Sequence, residues 1–187
     1  RRLFAEGAFS QAFVPILAAS REKEGDEATH RLVDAVATVL AWALLATCVI
    51  GVIAAPILVW LLASGLERFD NAVMMTRVMF PYIGFMSMVA LAAGILNTWK
   101  RFAVPAATPV LLNLAVIAAA WLGVPWFKSI GVQPIYALAV GVMAGGVLQL
   151  AVQVPALARV GLLPRIGFSP SAIRAAWHHP GVRRTLK

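Results

Sequence analysis

Two adjacent guanidinium groups, Arg1 and Arg2, head an apolar stretch that runs LFAEGAFSQAFVP to Pro15. A guanidinium is a planar fork of N–H donors that matches the oxygens of phosphate and carboxylate in pairs. Glu6 follows four or five residues later, close enough on a helix to neutralise one arginine. A third arginine, Arg77, stands in a similar setting between apolar runs. An arginine at the centre of a membrane helix costs about 2.5–3.5 kcal/mol, so such residues face a cavity or protein interior. Arg1, Arg2, Glu6 and Arg77 therefore form a candidate binding set for an anionic substrate. Two plainer readings stay open: Arg1 and Arg2 merely flank an apolar helix, and Arg77 reaches a headgroup layer.

Gly7, Ser10 and Pro15 weaken the helix that carries this pair, and they predict a bend or unwound hinge between Gly7 and Pro15; close helix packing is the alternative. Gly141 and Gly145 form a GxxxG pattern with Gly146 beside it, which suits close approach of a neighbouring helix. Gln149 and Gln153, at i and i+4, face the interior together, for interhelical hydrogen bonding or a polar substrate contact. Asn97 and Asn113 read as packing amides of the same kind. His178 and His179 point about 100° apart on a helix, poor geometry for one metal ion. Cys48 is the single cysteine, set mid-helix as a small hydrophobe, so neither a disulfide nor a cysteine metal site is expected. With no nucleophile–base set, intramembrane carboxylate pair or phosphate-binding glycine loop, the chain is expected to be no enzyme and to need no metal or cofactor.

The elements that position these residues follow from composition. Of 187 residues, 61% are hydrophobic and 13% charged, about half the usual charged share. No charge falls between Asp34 and Glu67, Arg77 and Lys100, Arg101 and Lys128, or Lys128 and Arg159. Each block can supply the roughly 20 apolar residues that cross a bilayer. The run from Leu3 to Ser20, with only Glu6 charged, makes a fifth candidate. The expected fold is an all-α polytopic transmembrane helix bundle. Its helices are predicted near 1–20, 29–62 (with Pro56 as a kink or local end), 72–99, 103–123 and 135–157. Residues 1–165 form the spanning domain. Residues 166–187 are an interfacial helix, capped by Ser169 with Pro170 at its first position, or the start of a further span. The basic total of +8 is spread over segment ends, which points to membrane insertion and not to nucleic acid. Lacking an initiator Met and a secretory signal, the chain reads as an internal piece of a longer protein, whose remaining helices are its first partners.

Orientation follows from the basic residues in short loops. Segments 21–31, 100–101 and 159–187 hold eleven Lys and Arg, against Arg68 and Lys128 in the alternate loops. The first set is predicted to be cytoplasmic. Arg1, Arg2 and Arg77 then sit toward the outer ends of their helices, against the orientation rule.

RRLFAEGAFSQAFVP at 1–15, FPYI at 80–83, GILNTWKRF at 94–102 and GGVLQL at 145–150 together closely resemble the MurJ/MviN family of lipid II flippases. The resemblance runs along essentially the whole chain. It implies part of the N-terminal lobe of a two-lobed, fourteen-helix bundle in the superfamily of the MATE antiporters, covering roughly the second to sixth transmembrane helices. It further implies a bacterial inner-membrane protein that flips the lipid-linked peptidoglycan precursor by alternating access, serving cell-wall synthesis. Arg1 would lie on a central cationic cavity that holds the diphosphate, with membrane lipid around it. Competing readings are a flippase for another polyprenyl-linked saccharide, a MATE-like drug antiporter, or a non-transporting membrane scaffold. An antiporter calls for buried carboxylates, and only Glu6 and Asp34 come near the membrane. A scaffold offers no return for burying Arg1 and Arg2.

Overall fold

A computed structural model describes residues 6–23, 25–63, 65 and 69–185, with side chains over 13–182 of these. Among these residues eight α-helices follow in order: α1 (Glu6–Lys23), α2 (Asp26–Ala63), α3 (Phe69–Thr98), α4 (Ala103–Ala118), α5 (Val124–Ser129), α6 (Ile135–Val160), α7 (Pro170–Trp177) and α8 (Pro180–Thr185). No strand occurs among the described residues. The chain is an all-α membrane bundle.

Among the described residues, four helical stretches are long and apolar enough to cross a bilayer: Asp26–Ala63, Phe69–Thr98, Ala103–Ser129 and Ile135–Val160. The described part of α1, eighteen residues that include Glu6, Arg21, Glu22 and Lys23, is not among them, and the first five residues of the expected fifth span lie outside the described residues. Its apolar side is spent on protein: Phe13 and Leu17 are completely buried.

The predicted stop near Gly123 and Pro125 is corrected. A π-helical turn at Ala119–Gly123 joins α4 to α5, and the helical path continues to Ser129. Pro125 has no N–H, and in a regular helix its ring would crowd the carbonyl four residues back. The wider turn, in which the Val124 N–H reaches the Ala119 carbonyl, carries the helix past it. Pro56 likewise ends nothing, since α2 runs through it.

The helices divide into two compact units. Unit 1 holds residues 1–43, 87–107 and 150–187, and unit 2 holds 44–86 and 108–149. All three segments expected on the basic side fall in unit 1, and the alternate loops fall in unit 2. The burial pattern of α2 changes with the unit. Leu32, Val33, Val36, Ala37 and Val39 are core residues of unit 1, whereas Ile50, Ile53, Ile57, Trp60 and Leu61 in unit 2 are exposed. At 38 residues α2 is about 57 Å long, against a hydrocarbon core of about 30 Å. One part is built like a soluble helix and the other like a lipid-facing one.

In unit 1 the core joins Leu17, Leu32, Leu91, Ile95, Leu157 and Val182, drawing on α1, α2, α3, α6 and α8. In unit 2, α4–α5 and α6 meet through small residues. A methyl group at Gly141 would collide with Ala119, one at Gly145 would lie 2.6 Å from Leu112, and one at Gly123 would lie 3.2 Å from Ala137. Ala115, Ala119 and Gly123 thus face Ala137, Gly141 and Gly145, two stripes at four-residue spacing that let backbones approach closely. Gly146 turns instead toward Tyr82 and Phe85 of α3.

Gly141→Leu is expected to push these helices apart and to destabilise the bundle by about 1–3 kcal/mol. Gly65→Ala, where an added methyl group meets nothing, should leave the melting midpoint in detergent unchanged. Equal midpoints for the two variants would refute the close-approach role.

Candidate functional site

Arg1 and Arg2 lie outside the described residues. Glu6, Gly7 and Ser10 are placed by backbone alone, on α1, and that helix is continuous from Glu6 through Pro15 to Lys23. Of the bend or unwinding expected between Gly7 and Pro15, the helix shows no unwound break, passing through both residues as α-helix. What positions this end of the chain is the seat of α1 on α3. Phe13 is fully buried, and Gly94 leaves room for Phe13 and Val14, whose side chains would stand 3.6 Å from a methyl group placed there.

Arg77 is exposed and belongs to unit 2, apart from the unit that holds α1. Its Nε donates to the Val52 carbonyl at 3.3 Å. That carbonyl lies four residues before Pro56, which has no N–H to return to it. Arg77 thus supplies the hydrogen bond that the proline removes. Cys48 makes a comparable inter-helix contact, its Sγ 3.6 Å from the Phe80 carbonyl.

Gln149 and Gln153 are both buried, at 2% and 0% exposure. Gln149 Nε2 donates to the Thr108 carbonyl at 2.8 Å. Gln149 Oε1 and both polar atoms of Gln153 have no partner among the described residues. An amide enclosed without partners is costly, about 1–3 kcal/mol by mutational measures. His178 and His179 are used locally and separately: His178 Nδ1 donates to the Arg174 carbonyl at 2.8 Å, and His179 Nδ1 accepts from the Gly181 N–H at 3.2 Å.

Three polar arrangements went unseen in the sequence. Asp34, Thr38 and Trp42 occupy one face of α2 at four-residue spacing and hold the extended segment that follows α6. Asp34 Oδ1 accepts from the Arg165 N–H at 2.7 Å, Thr38 Oγ1 accepts from the Gly167 N–H at 3.0 Å, and Trp42 Nε1 donates to the Gly167 carbonyl at 3.0 Å. The i, i+4, i+8 spacing was visible; its partner, 131 residues from Asp34, was not. In unit 2, Asn71 Nδ2 donates to Gln133 Oε1 at 2.9 Å, and the Tyr136 hydroxyl donates to Asn71 Oδ1 at 3.2 Å. In unit 1, Arg21 lies 4.6 Å over the Trp99 ring and donates to the Thr98 carbonyl at 3.5 Å. A cation there meets both a π face and the negative end of α3.

The ends of α3 and α6 share one design. The Arg101 N–H returns to the Leu96 carbonyl and the Lys100 N–H to Asn97, as Leu162 returns to Leu157 and Gly161 to Ala158. Both are Schellman terminations, which place a left-handed residue just past the helix. Gly161 takes that position after α6, at φ 78°, whereas Lys100 takes it after α3, at φ 58°.

Across all 187 residues the chain matches the sequence profile of a family described as "Lipid II flippase MurJ". The chain belongs to this family. It is 54% identical to the lipid II flippase MurJ of Burkholderia cenocepacia over 100% of its own length and 36% of that protein's. It is 37% identical to a probable lipid II flippase MurJ of Rhizobium meliloti, over 100% of this chain and 34% of that protein. The Haemophilus influenzae relative, also a probable lipid II flippase MurJ, is 33% identical over 100% of this chain and 37% of that protein. The chain thus spans about a third of the curated MurJ relatives it matches.

Two outcomes test this geometry. Asp34→Ala should speed hydrogen exchange at the Arg165 amide by roughly tenfold, since a hydrogen bond to a charged group contributes about 1.5 kcal/mol; unchanged exchange would remove the clasp. Gln153→Leu should raise the unfolding free energy in detergent by about 1–2 kcal/mol, while Gln149→Leu, which severs the bond to Thr108, should lower it. A lowered unfolding free energy for Gln153→Leu as well would show that Gln153 is satisfied.

Proposed function

We propose that this chain is part of a flippase that carries a polyprenyl-linked peptidoglycan precursor, lipid II, across the bacterial inner membrane by alternating access. The observation that carries the reading is the match to the lipid II flippase family over residues 1–187. The residues add a physical rationale. A guanidinium pair ahead of α1, against the orientation set by eleven basic residues on the other side, suits a cavity wall that attracts a diphosphate. Arg1 is the principal ligand in this proposal, with Arg2 and Arg77 contributing positive charge and Glu6 balancing one arginine. Arg77 has part of its donor set committed to Val52, so its contribution is through the field and its remaining N–H groups.

Transport, with no covalent chemistry on the substrate, is the activity proposed. Segments 21–31, 100–101 and 159–187 would face the cytoplasm, and the Gly7–Pro15 stretch of α1 would bend, without unwinding, as the cavity changes its opening. The tail from Pro170 to Thr185 would lie at the cytoplasmic interface: Trp177 is exposed on α7 while Ala176 is buried against the core. A flippase for another polyprenyl-linked saccharide would use the same cationic chemistry. A carboxylate-driven antiporter is disfavoured by Asp34, whose carboxylate is engaged with the Arg165 amide.

Complementation in cells depleted of their own flippase, with membrane levels matched, tests the proposal. Arg1→Ala in the full-length protein should abolish growth. Arg1→Lys should rescue only in part, because an ammonium cannot reproduce paired parallel hydrogen bonds. The expected loss is about tenfold in substrate affinity, or roughly 1.4 kcal/mol. Arg2, which would point about 100° away from Arg1 were the pair helical, should tolerate the same changes better. Full growth with Arg1→Ala would overturn the assignment of Arg1.

A further inference from the structure

We propose that a basic pocket at the Lys100–Arg101 turn holds the phosphodiester headgroup of an anionic phospholipid from the surrounding membrane. This site lies wholly within unit 1 and is independent of the transported substrate.

The pocket, a cavity of about 420 Å³, is lined by Lys100, Arg101, Phe102, Val104, Ala156 and Arg159. Three cations converge there, and no carboxylate lines it. The ion pair present among the described residues is Arg31 with Glu27, 3.2 Å apart and elsewhere, so none of the three is neutralised by a neighbouring acid. Arg21, joined in space to the same turn through Trp99, is already occupied by that ring and by the Thr98 carbonyl. The first turn of the 16-residue helix α4 also borders the cavity, adding the positive end of a helix dipole.

Two features select a lipid over a free anion. The cavity far exceeds a bare phosphate, and its other walls are apolar: Phe102 is 58% exposed, with Val104 and Ala156 beside it. A cationic rim against an apolar wall matches a molecule whose phosphate is joined to acyl chains. The backbone points the same way. The helix ends after α5 and α6 place glycine in the left-handed position, Gly131 at φ 75° and Gly161 at φ 78°, but after α3 that position is Lys100 at φ 58°. A lysine held where glycine is easiest signals a use for its ammonium group.

The test uses the full-length protein in detergent with phosphatidylglycerol or phosphatidylcholine added, and native mass spectrometry to read bound lipid. Phosphatidylglycerol should be retained and phosphatidylcholine should not. The combined variant Lys100→Gln, Arg101→Gln, Arg159→Gln should lower phosphatidylglycerol affinity by about a hundredfold, from three lost surface charges. Lys128→Gln, a basic residue of unit 2, should have no effect. Lys100→Gly removes one charge while relaxing the turn, so it cannot act by misfolding; it should weaken binding about fivefold with the melting midpoint unchanged or raised. Wild-type retention by both variants, or equal retention of phosphatidylcholine, would overturn the site. Complete displacement of the lipid by millimolar inorganic phosphate would overturn the lipid assignment in favour of a free-anion site. None of these readouts depends on flipping, so a failure here leaves the proposed transport standing, and the reverse.

Discussion

Hydrocarbon supplies no hydrogen bonds, so every backbone N–H and C=O within the membrane must be satisfied inside the protein. This chain faces that constraint with Pro15, Pro56, Pro81, Pro109 and Pro155 inside its helices. Each proline withdraws one donor and strands a carbonyl four residues back. The solutions are local and different. Beyond Pro56 the freed Val52 carbonyl takes a hydrogen bond from Arg77 on the neighbouring helix. Around Pro125 the backbone widens into a π turn, whose Val124 N–H reaches Ala119. Helix packing is thereby tied to backbone repair, and a charged side chain in an apolar block acquires a structural duty beside any role toward substrate.

The same constraint explains why small residues gather between α4–α5 and α6. Lipid tails are as apolar as leucine, so helices gain little by hiding leucine from them, and association depends on close van der Waals contact. The Ala115–Ala119–Gly123 and Ala137–Gly141–Gly145 stripes provide it, leaving Val110, Leu114, Ile117 and Trp121 exposed on the other side of α4 and the π turn. In unit 1 the balance reverses. Its core is built from large side chains, with Phe13, Leu17, Leu32, Leu91, Ile95 and Leu96 buried together. One helix, α2, serves both regimes in succession.

The polar clasp of Asp34, Thr38 and Trp42 bears on function because it fixes where the chain goes after its last long helix. Residues 162–168 lie extended along α2, Phe168 meets the Trp42 ring edge-on at 6.5 Å, and α7 starts at Pro170 with the Ser169 hydroxyl accepting from the Ala172 N–H at 3.1 Å. The basic tail is thus attached to the core of unit 1. A clasp of this kind ties the tail and the first part of α2 into one body.

Much of this architecture was legible in residue order alone. Charge-free blocks of more than twenty residues define four spans because the bilayer has a fixed thickness. Ser169–Pro170 marks a helix start because capping chemistry is local, and the lopsided distribution of Lys and Arg sorts the connections into the two sets that the units reproduce. Residues 1–15, 80–83, 94–102 and 145–150 carried enough pattern to indicate the family. What remained out of reach was every feature whose partner is distant in sequence. The path through Pro125 depends on a wider helical turn that no propensity announces. The employment of Asp34, 131 residues from Arg165, and of Arg77, 25 residues from Val52, depends on which helix faces bring them together. The burial of Gln153 beside its unpaired amide, and the convergence of Lys100, Arg101 and Arg159 on one pocket, were likewise decided by packing. Sequence determines which segments leave water, because transfer from water is additive along the chain; tertiary structure decides which polar groups meet, because meeting requires a third dimension.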